Sequence, residues 1–374
     1  MIERSEDLER LARALSAAPA IGLDTEGDGL YRYRARLCTI QLAHRDGIAL
    51  VDTLALPERE ALAPVLGAEG PEKVLHDCAF DARMLARGGL PLANVFDTAV
   101  AARFLGEVST GLSSLLDKHL GVRIGKELQQ ADWGKRPLDD TEIAYLEEDV
   151  RHLLPLAALL RERCADAGIL DEVRVESAWA AECGGAPEEA PGPAWLRVKG
   201  AGDLRTGTQR AVLRELAELR ERVAEDEDVP PFRVLPNPVL LVLARKAPRD
   251  LASLDGISAL GRRPELAREI LAAVRRGLEA REVPASELAL LRPPAPPFEE
   301  RERRKRIETA LTAWRKQEAE ARAVSPQVVL PGHCLRDLAG RAPRDEQALL
   351  AVPGLGACRV ERYGRQLLAI VQSA

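Results

Sequence analysis

Residues 20–52 read AIGLDTEGDGLYRYRARLCTIQLAHRDGIALVD, and this stretch decides the fold of the first half of the chain. Its three apolar runs, AIGLDTE, LCTIQLA and IALVD, have the length and composition of strands, and short loops separate them. A further strand, KVLHD, follows a helix from about Pro57, and later helices are predicted from about Ala79, Thr98, Leu112 and Asp139. Three strands with short connections, followed by alternating strand and helix, predict a mixed sheet flanked by helices. The first domain is therefore expected to be α/β.

The second half of the chain is predicted to be helical. A segment rich in Pro and Gly, ECGGAPEEAPGPAW at residues 182–195, interrupts every regular pattern, and LRPPAPPF at residues 291–298 makes a second break. VLPNPVLLVLARKAPRD at residues 234–250 and VLPGHCLRDLAGRAPRD at residues 329–345 are identical at ten of 17 positions, which indicates an internal repeat. In each copy the Pro should end one helix and the Asp should cap the next. We predict three domains, residues 1–190, 200–285 and 296–374.

Two glycines in the second copy of the repeat, Gly354 and Gly356 of PGLG, have the spacing of a phosphate loop. No strand precedes them, so a tight turn between two helices is the better interpretation.

Charge is distributed unevenly along the chain, whose net charge is -6. Residues 1–190 carry 21 Lys and Arg against 34 Asp and Glu, whereas residues 191–374 carry 32 against 25. An acidic half suits a site in which carboxylates hold cations, and a basic half suits contact with phosphate groups, although ordinary solvated faces explain the charges equally well. The six cysteines form no pair or cluster with zinc spacing, and we expect them to be reduced. No apolar stretch is long enough for a membrane helix and no signal peptide is recognisable, so we expect a cytoplasmic protein without membrane contact.

Three short patterns contain candidate catalytic residues. Asp24 and Glu26 end the first strand and point to the same face, because side chains alternate along a strand. Asp81 falls in the first turn of a helix in KVLHDCAFDARML. Tyr145 and Asp149 are four residues apart in TEIAYLEEDVRHLLPL and therefore share one face of a helix. Each pattern alone has an ordinary structural explanation, such as solvated acids at a strand end or a packing pair.

Taken together, four acids and a tyrosine suit the hydrolysis of a phosphodiester. That reaction needs an activated water and neutralisation of the charge on the leaving oxygen, and two cations about 3.5 to 4 Å apart can supply both. Several carboxylates are needed to hold two such cations close together. A phenol hydroxyl one helical turn from a ligand can orient the attacking water by a hydrogen bond. No GxxxxGK[ST] loop is present, which argues against ATP chemistry.

The five residues match, in order, the pattern of the DEDD exonuclease superfamily in its tyrosine variant: Asp-x-Glu, then Asp, then Tyr-x-x-x-Asp. The chain resembles the ribonuclease D family in particular, because LGVRIGKELQQADWGKRPLDDTEIAYLEEDVRHLLPL at residues 120–156 reproduces that family's long final block. The two tail modules resemble the helicase-and-RNase-D C-terminal (HRDC) domain. The resemblance implies an α/β exonuclease domain of the ribonuclease H-like fold, followed by two small all-α helical-bundle domains.

The resemblance also implies an activity: 3′-to-5′ exoribonuclease action that releases 5′-mononucleotides with two divalent ions, Mg²⁺ or Mn²⁺. Asp24, Glu26 and Asp149 would hold the metal that activates water, Asp24 with Asp81 would hold the second, and Tyr145 would orient the nucleophile. The implied partners are RNAs, namely tRNA precursors and other small structured RNAs with single-stranded 3′ tails, bound by a monomer. Two other functions are compatible with the same acids: a DNA exonuclease acting in repair, and a nucleic-acid-binding protein without catalysis.

Three further residues are candidate substrate contacts: Thr25, His76 and Arg136. For His76 a structural role at the strand-to-helix turn is the stronger interpretation, and for Arg136 a salt bridge that locks the preceding loop is an equal alternative to RNA contact. Asp77 is expected to cap the following helix. Gly27 departs from the family pattern, in which a bulky aromatic residue often follows the glutamate. We expect deletion of residues 292–374 to weaken RNA affinity more than it slows cleavage.

Overall fold

The structure is a computed structural model that describes residues 1–125, 127–187, 192–254, 263–291 and 295–373. Residues 188–191 and 292–294, which belong to the two predicted breaks between domains, lie outside the described residues. So do residues 255–262 of the predicted first helical domain and residue 374 at the end of the second.

A five-stranded mixed sheet forms the centre of the first domain. Its strands are β1 (Ala20–Gly27), β2 (Leu37–His44), β3 (Gly47–Asp52), β4 (Glu72–Leu75) and β5 (Val95–Asp97), and their spatial order is β3-β2-β1-β4-β5. Strands β1, β2 and β3 pair antiparallel, whereas β1, β4 and β5 pair parallel. Seven of the eight residues of β2 are buried, as expected for a strand covered on both faces. The predicted mixed sheet is confirmed, and β5 is a strand that the sequence patterns did not indicate.

Helices cover both faces of this sheet: α1 (Ser5–Ser16), α2 (Ala63–Leu66), α3 (Ala79–Arg87), α4 (Thr98–Phe104), α5 (Leu112–Leu120), α6 (Asp140–Arg151), α7 (Leu153–Asp166) and α8 (Leu170–Gly185). The predicted starts of α3, α4 and α5 are confirmed, whereas the helix expected from Pro57 is a 3₁₀ turn followed by the four-residue α2. Helix α6 begins one residue after Asp139, whose side chain forms a capping box with Glu142. Helix α1 was not predicted.

The tail contains the remaining helices: α9 (Gly207–Asp226), α10 (Pro231–Val234), α11 (Asn237–Lys246), α12 (Pro264–Ala280), α13 (Ala285–Leu291), α14 (Phe298–Arg322), α15 (Pro326–Val329), α16 (Gly332–Arg341), α17 (Glu346–Leu350) and α18 (Ala357–Ser373). The internal repeat is visible in the backbone, since α11 and α16 are each followed by an alanine with φ of 46°, Ala247 and Ala342. Asp345 caps α17 through the backbone N–H of Ala348, as predicted. Among the described helices, none is both long and apolar enough to cross a membrane.

The chain divides into two compact units. The first comprises Met1–Gly27, Arg36–Pro187 and Pro296–Ala374, so it contains the sheet domain and the second helical domain. The second comprises Asp28–Ala35 and Glu188–Ala295, so it contains the first helical domain and the loop between β1 and β2. The division into three domains stays a prediction.

Candidate active site

Strand β1 directs its side chains to two different layers of the first unit. Ile21 and Leu23 belong to the same buried cluster as residues of α1 and α3. A Cβ on Gly22 would lie 3.3 Å from the carbonyl oxygen of Val150 in α6, so the opposite face of the strand lies under this helix. Because side chains alternate, Asp24 and Glu26 point toward α6. Thr25 points toward α3.

Three of the predicted ligands meet in the space between β1 and α6. Carboxylate oxygens of Asp24, Glu26 and Asp149 all lie within 4.8 Å of one another. Tyr145 lies one turn before Asp149 on α6, and its phenol is close enough to the Asp149 carboxylate to act on the pKa of that acid. The structure therefore brings together four of the five residues of the sequence pattern around one small volume.

Asp81 approaches the same centre from α3, outside that group of three carboxylates. Its side chain is almost completely buried, and its Oδ1 accepts a hydrogen bond of 2.7 Å from the Thr25 hydroxyl. The negative charge of Asp81 is close enough to raise the pKa of Asp24. Thr25 therefore holds Asp81 beside the cluster, and its own buried hydroxyl is committed to this bond.

The electrostatics of the cluster suit a site that binds cations. Burial, followed by the charges of Asp81, Glu26 and Asp149, raises the pKa of Asp24 well above its usual range. Burial and the charges of Asp149 and Asp81 raise the pKa of Glu26 to about 9, and burial raises the pKa of Asp81 and of Asp149 to about 7. None of the ion pairs found between described residues involves these four acids. Hard oxygen donors crowded together without a cationic side chain fit divalent metal ions.

The predicted substrate contacts prove to be occupied by protein partners. His76 Nδ1 lies 2.9 Å from the hydroxyl of Thr98, and burial lowers the pKa of the imidazole, which fits the structural role. Arg136 donates to the carboxylate of Asp52 through Nε and Nη2, and to the carbonyl oxygens of Trp133, Lys135 and Cys38. These contacts use all five N–H groups of the guanidinium. The structure therefore favours the loop-locking alternative for Arg136 over contact with RNA.

Gly27 is explained by its close surroundings. A Cβ at this position would lie 2.9 Å from the carbonyl oxygen of Arg36 and 2.6 Å from Cε of Met84. The backbone oxygen cannot move aside without disturbing the pairing of β1 and β2. No bulky side chain fits here, so the departure from the family pattern is a local packing requirement.

The expectation that Asp77 caps α3 is wrong. The residue at the start of that helix is Cys78, which has no side-chain cap, and Asp77 adopts a left-handed conformation with φ of 62°. Asp97 instead accepts hydrogen bonds from the backbone N–H groups of Asp77 and Cys78 and also caps α4. One buried carboxylate thus organises the ends of two neighbouring strands.

Two supporting features of the site were missed in the sequence. The ring of Trp133 stacks on Tyr145 with centroids 5.8 Å apart, and it fixes the phenol beside Asp149. Gln41 and Thr39 pair with Asp24 and Glu26 across the sheet and are hydrogen-bonded to each other at 2.8 Å. The polar pair Thr39 and Gln41 in the otherwise apolar run LCTIQLA, at alternate positions on one face, was the signal that could have revealed this second layer.

The two interpretations of Arg136 predict different results for Arg136→Lys. Burial tends to raise the pKa of Asp52, but the hydrogen bonds and charge of Arg136 outweigh it and lower that pKa. A lysine keeps the charge but cannot donate the two parallel hydrogen bonds that the guanidinium makes to the Asp52 carboxylate. We therefore expect the free energy of unfolding to fall by about 2 kcal/mol. RNA affinity, measured by fluorescence anisotropy in EDTA, should stay within about twofold of wild type. Unchanged urea stability with weakened RNA binding would instead establish Arg136 as a phosphate contact.

Comparison with known proteins extends these observations to the whole chain. A family model described as 3′-5′ exonuclease matches residues 1–165, and an HRDC domain model matches residues 209–274 and 304–371. The fold and the acidic cluster, with these matches, define a 3′-5′ exonuclease that carries two HRDC domains. Ribonuclease D from Granulibacter bethesdensis is 32% identical over 99% of this chain and 92% of its own length, and ribonuclease D from Escherichia coli is 32% identical over 70% of each. The chain belongs to the ribonuclease D family and is a 3′-5′ exoribonuclease.

A solved structure gives the same result for the architecture. The crystal structure of Escherichia coli RNase D, described as an exoribonuclease involved in structured RNA processing, matches 100% of this chain and 98% of that chain, with a TM-score of 0.68 and 26% identity. The expected fold class, an α/β exonuclease domain followed by helical HRDC domains, is confirmed.

Proposed function

We propose that this exoribonuclease hydrolyses RNA at a two-metal centre formed by Asp24, Glu26, Asp81 and Asp149, with Tyr145 as the residue that orients water. The observation that carries this proposal is the convergence of the Asp24, Glu26 and Asp149 carboxylates within 4.8 Å beside the Tyr145 phenol. Asp24, Glu26 and Asp149 would hold one ion, and Asp24 with Asp81 a second, Mg²⁺ or Mn²⁺ in each case. Such ions activate water and neutralise the leaving 3′-oxygen.

The contribution of Tyr145 follows from its environment. Burial and the charge of Asp149 raise the pKa of the phenol, so it stays protonated at neutral pH. A protonated phenol beside Asp149 has an oxygen that can accept a hydrogen bond from water. Stacking against Trp133 limits rotation of the ring. Tyr145 therefore fixes the direction from which a water attacks the phosphorus atom.

The proposed physiological role is maturation of the 3′ ends of tRNA precursors and other small structured RNAs. The exoribonuclease activity, the similarity to an RNase D involved in structured RNA processing and the basic second half of the chain support this role. The HRDC domains would contact RNA through phosphate groups, since aromatic residues make up only 3% of the chain.

A time course with two matched substrates tests the proposal. The substrate is a 5′-labelled RNA with a structured body and a single-stranded 3′ tail, and it is compared with its DNA twin in Mg²⁺ and in EDTA. We expect stepwise shortening of the RNA tail to 5′-mononucleotides in Mg²⁺ only, with the DNA shortened at least about tenfold more slowly because it lacks the 2′-hydroxyl. Equal shortening of both strands would favour the DNA exonuclease. Shortening in EDTA would contradict the metal centre.

Metal binding should depend on pH because the ligands hold protons in the metal-free protein. The pKa of Glu26 is about 9 and those of Asp81 and Asp149 about 7, against about 4 in the unfolded chain. Between these values the folded state binds more protons than the unfolded state, so the stability of the metal-free protein falls as pH rises from about 4 through 7 to 9. Metal ligation requires the ionised carboxylates, so its affinity rises over the same range.

We therefore expect Mn²⁺ or Mg²⁺ at about 5 mM to increase Tm more at pH 8.5 than at pH 6. Calorimetric titrations in buffers of different ionisation enthalpy should detect proton release on binding. Equal Tm increases at both pH values, without proton release, would mean that the ions bind elsewhere.

A further inference from the structure

The loop between β1 and β2, residues 28–35, begins two residues after Glu26, and we call it the strap. In the structure it groups with the first helical domain rather than with the sheet that it connects. At its start, Gly27 passes so close to the carbonyl oxygen of Arg36 that no side chain fits. Because the backbone is closely packed at Gly27, a displacement of the strap should also displace the end of β1.

Several contacts hold the strap on the end of α9. Arg32 Nη1 donates to Asp228 Oδ2 at 2.9 Å, and the backbone N–H of Tyr33 donates to the other oxygen of the same carboxylate at 3.3 Å. The Tyr33 hydroxyl donates to Glu221 at 3.2 Å, and Arg34 Nη2 donates to Glu225 at 3.1 Å. The strap is thus bound along three consecutive residues.

A second helix of the same domain adds an aromatic contact. The guanidinium of Arg233 in α10 lies 4.4 Å from the ring centroid of Tyr31, within the range of a cation–π interaction. Side chains of two helices of the first helical domain therefore contact the strap.

The charges at the end of α9 are complementary to those of the strap. The helix and the turn after it end in AEDED, and the last turn contains no basic residue. Acidic groups at a helix C-terminus are unfavourable, because the partial charge of the helix dipole there is negative. Arg32 and Arg34 of the strap pair with Asp228 and Glu225 there, and Arg263 of the same domain pairs with Glu227. A surface of this sign would repel RNA, so nucleic-acid binding does not account for it.

We propose that the first HRDC domain positions the end of β1, and with it Glu26, by holding the strap on the acidic end of α9. Glu225 and Asp228 are then positioning residues for the exonuclease centre, although they lie about 200 residues away along the chain. This inference rests on the proposed role of Glu26 as a metal ligand. It assigns the first HRDC domain a function in catalysis in addition to any role in RNA binding.

The test is a double variant, Glu225→Arg with Asp228→Asn, assayed in the full-length protein. Asparagine suits position 228 because the backbone there has φ of 49°. The substrate is a 5′-labelled RNA trinucleotide, which has only two phosphodiester bonds, so remote RNA contacts contribute little to its turnover. We expect kcat to fall about tenfold through misplacement of the ligand, while the affinity for long RNA in EDTA is unchanged or increased by the added positive charge.

Two further variants make the result decisive. Adding Arg34→Glu to the double variant restores an ion pair of opposite polarity and should recover kcat at least about threefold. Glu218→Arg, which makes the same change in charge as Glu225→Arg but lies on α9 away from the strap, should keep wild-type kcat. Wild-type turnover by the double variant, or a loss that Arg34→Glu does not recover, would overturn the proposal. Glu26→Gln, assayed in parallel, separates this proposal from the proposed metal site. If Glu26→Gln is inactive and the double variant is active, only the proposed role of the strap is rejected. If Glu26→Gln is active, the proposed role of Glu26 as a metal ligand is rejected.

Discussion

Replacing Asp149 by asparagine is expected to lower kcat for RNA shortening at least about a thousandfold, the largest effect of any substitution considered for this protein. Asparagine has nearly the same volume but no charge, so it removes one of the three carboxylates that lie within 4.8 Å of one another. It also removes the carboxylate beside which the Tyr145 phenol lies. Ligation and orientation of water are therefore lost together. Single-turnover rates on the tailed RNA in Mg²⁺ measure the effect.

The physical signature of this variant distinguishes loss of ligation from loss of structure. Removing a negative charge relieves repulsion with Asp24 and Glu26, so metal-free Asp149→Asn should melt at the wild-type Tm or higher, while the increase in Tm caused by Mg²⁺ disappears. Glu148→Gln is the matched control, because it makes the same loss of charge one residue away, at a carboxylate that pairs with Arg151 and His152. It should keep the wild-type rate. An Asp149→Asn variant that shortens RNA at more than about a tenth of the wild-type rate would remove Asp149 from the centre.

The second large effect concerns stability, and its origin is Glu172 on α8. This side chain is 1% exposed and accepts from both Arg322 and Arg362 of the second HRDC domain. Substitution by alanine leaves the largely buried Arg322 and the partly exposed Arg362 without their shared partner. We expect the free energy of unfolding to fall by about 3 kcal/mol, measured from urea unfolding. Glu182→Ala, at an exposed position of the same helix, is the control and should cost less than about 0.5 kcal/mol.

The surroundings of Glu172 explain why the effect should be large. The rings of Trp179 and His333 stack with centroids 3.5 Å apart, and His333 also contacts Glu176 at 3.2 Å. A Cβ on Gly354 would lie 2.7 Å from Trp179, so the PGLG turn allows this close approach as well as connecting two helices. If Glu172→Ala loses no more stability than Glu182→Ala, the ion pairs of Glu172 do not stabilise the contact between α8 and the second HRDC domain.

The same contacts change the expectation for deletion of residues 292–374. That deletion would expose Glu172, Glu176 and Trp179 of α8, a helix that also packs on α3 and on β5. We now expect loss of stability in the exonuclease domain as well as loss of RNA affinity. Substitutions on the HRDC surface, rather than truncation, are therefore the appropriate way to separate binding from cleavage.

Much of the site was determined by local sequence. The alternation of AIGLDTE places Asp24 and Glu26 on one face of a strand, and the four-residue spacing of Tyr145 and Asp149 places them on one face of a helix. The capping box at Asp139 fixes where that helix begins. The repeat at residues 234–250 and 329–345 likewise produces two helices with the same left-handed end. These features depend on residues within one or two turns of each other, which is why they are readable from the chain.

Only the tertiary structure decided which distant groups became partners. Thr25 and Asp81 are 56 residues apart, Arg136 and Asp52 are 84 apart, and Arg32 and Asp228 are 196 apart. No local pattern distinguishes such partners, because a carboxylate or guanidinium looks the same in sequence whether it meets solvent, substrate or another side chain. The choice is made when burial removes water and leaves each charged group dependent on whatever the packed chain brings near it. For this reason the sequence determined the candidate residues of the site and the helical repeat, whereas packing gave Arg136 its protein partners, brought the second HRDC domain against α8 and grouped the strap with the first.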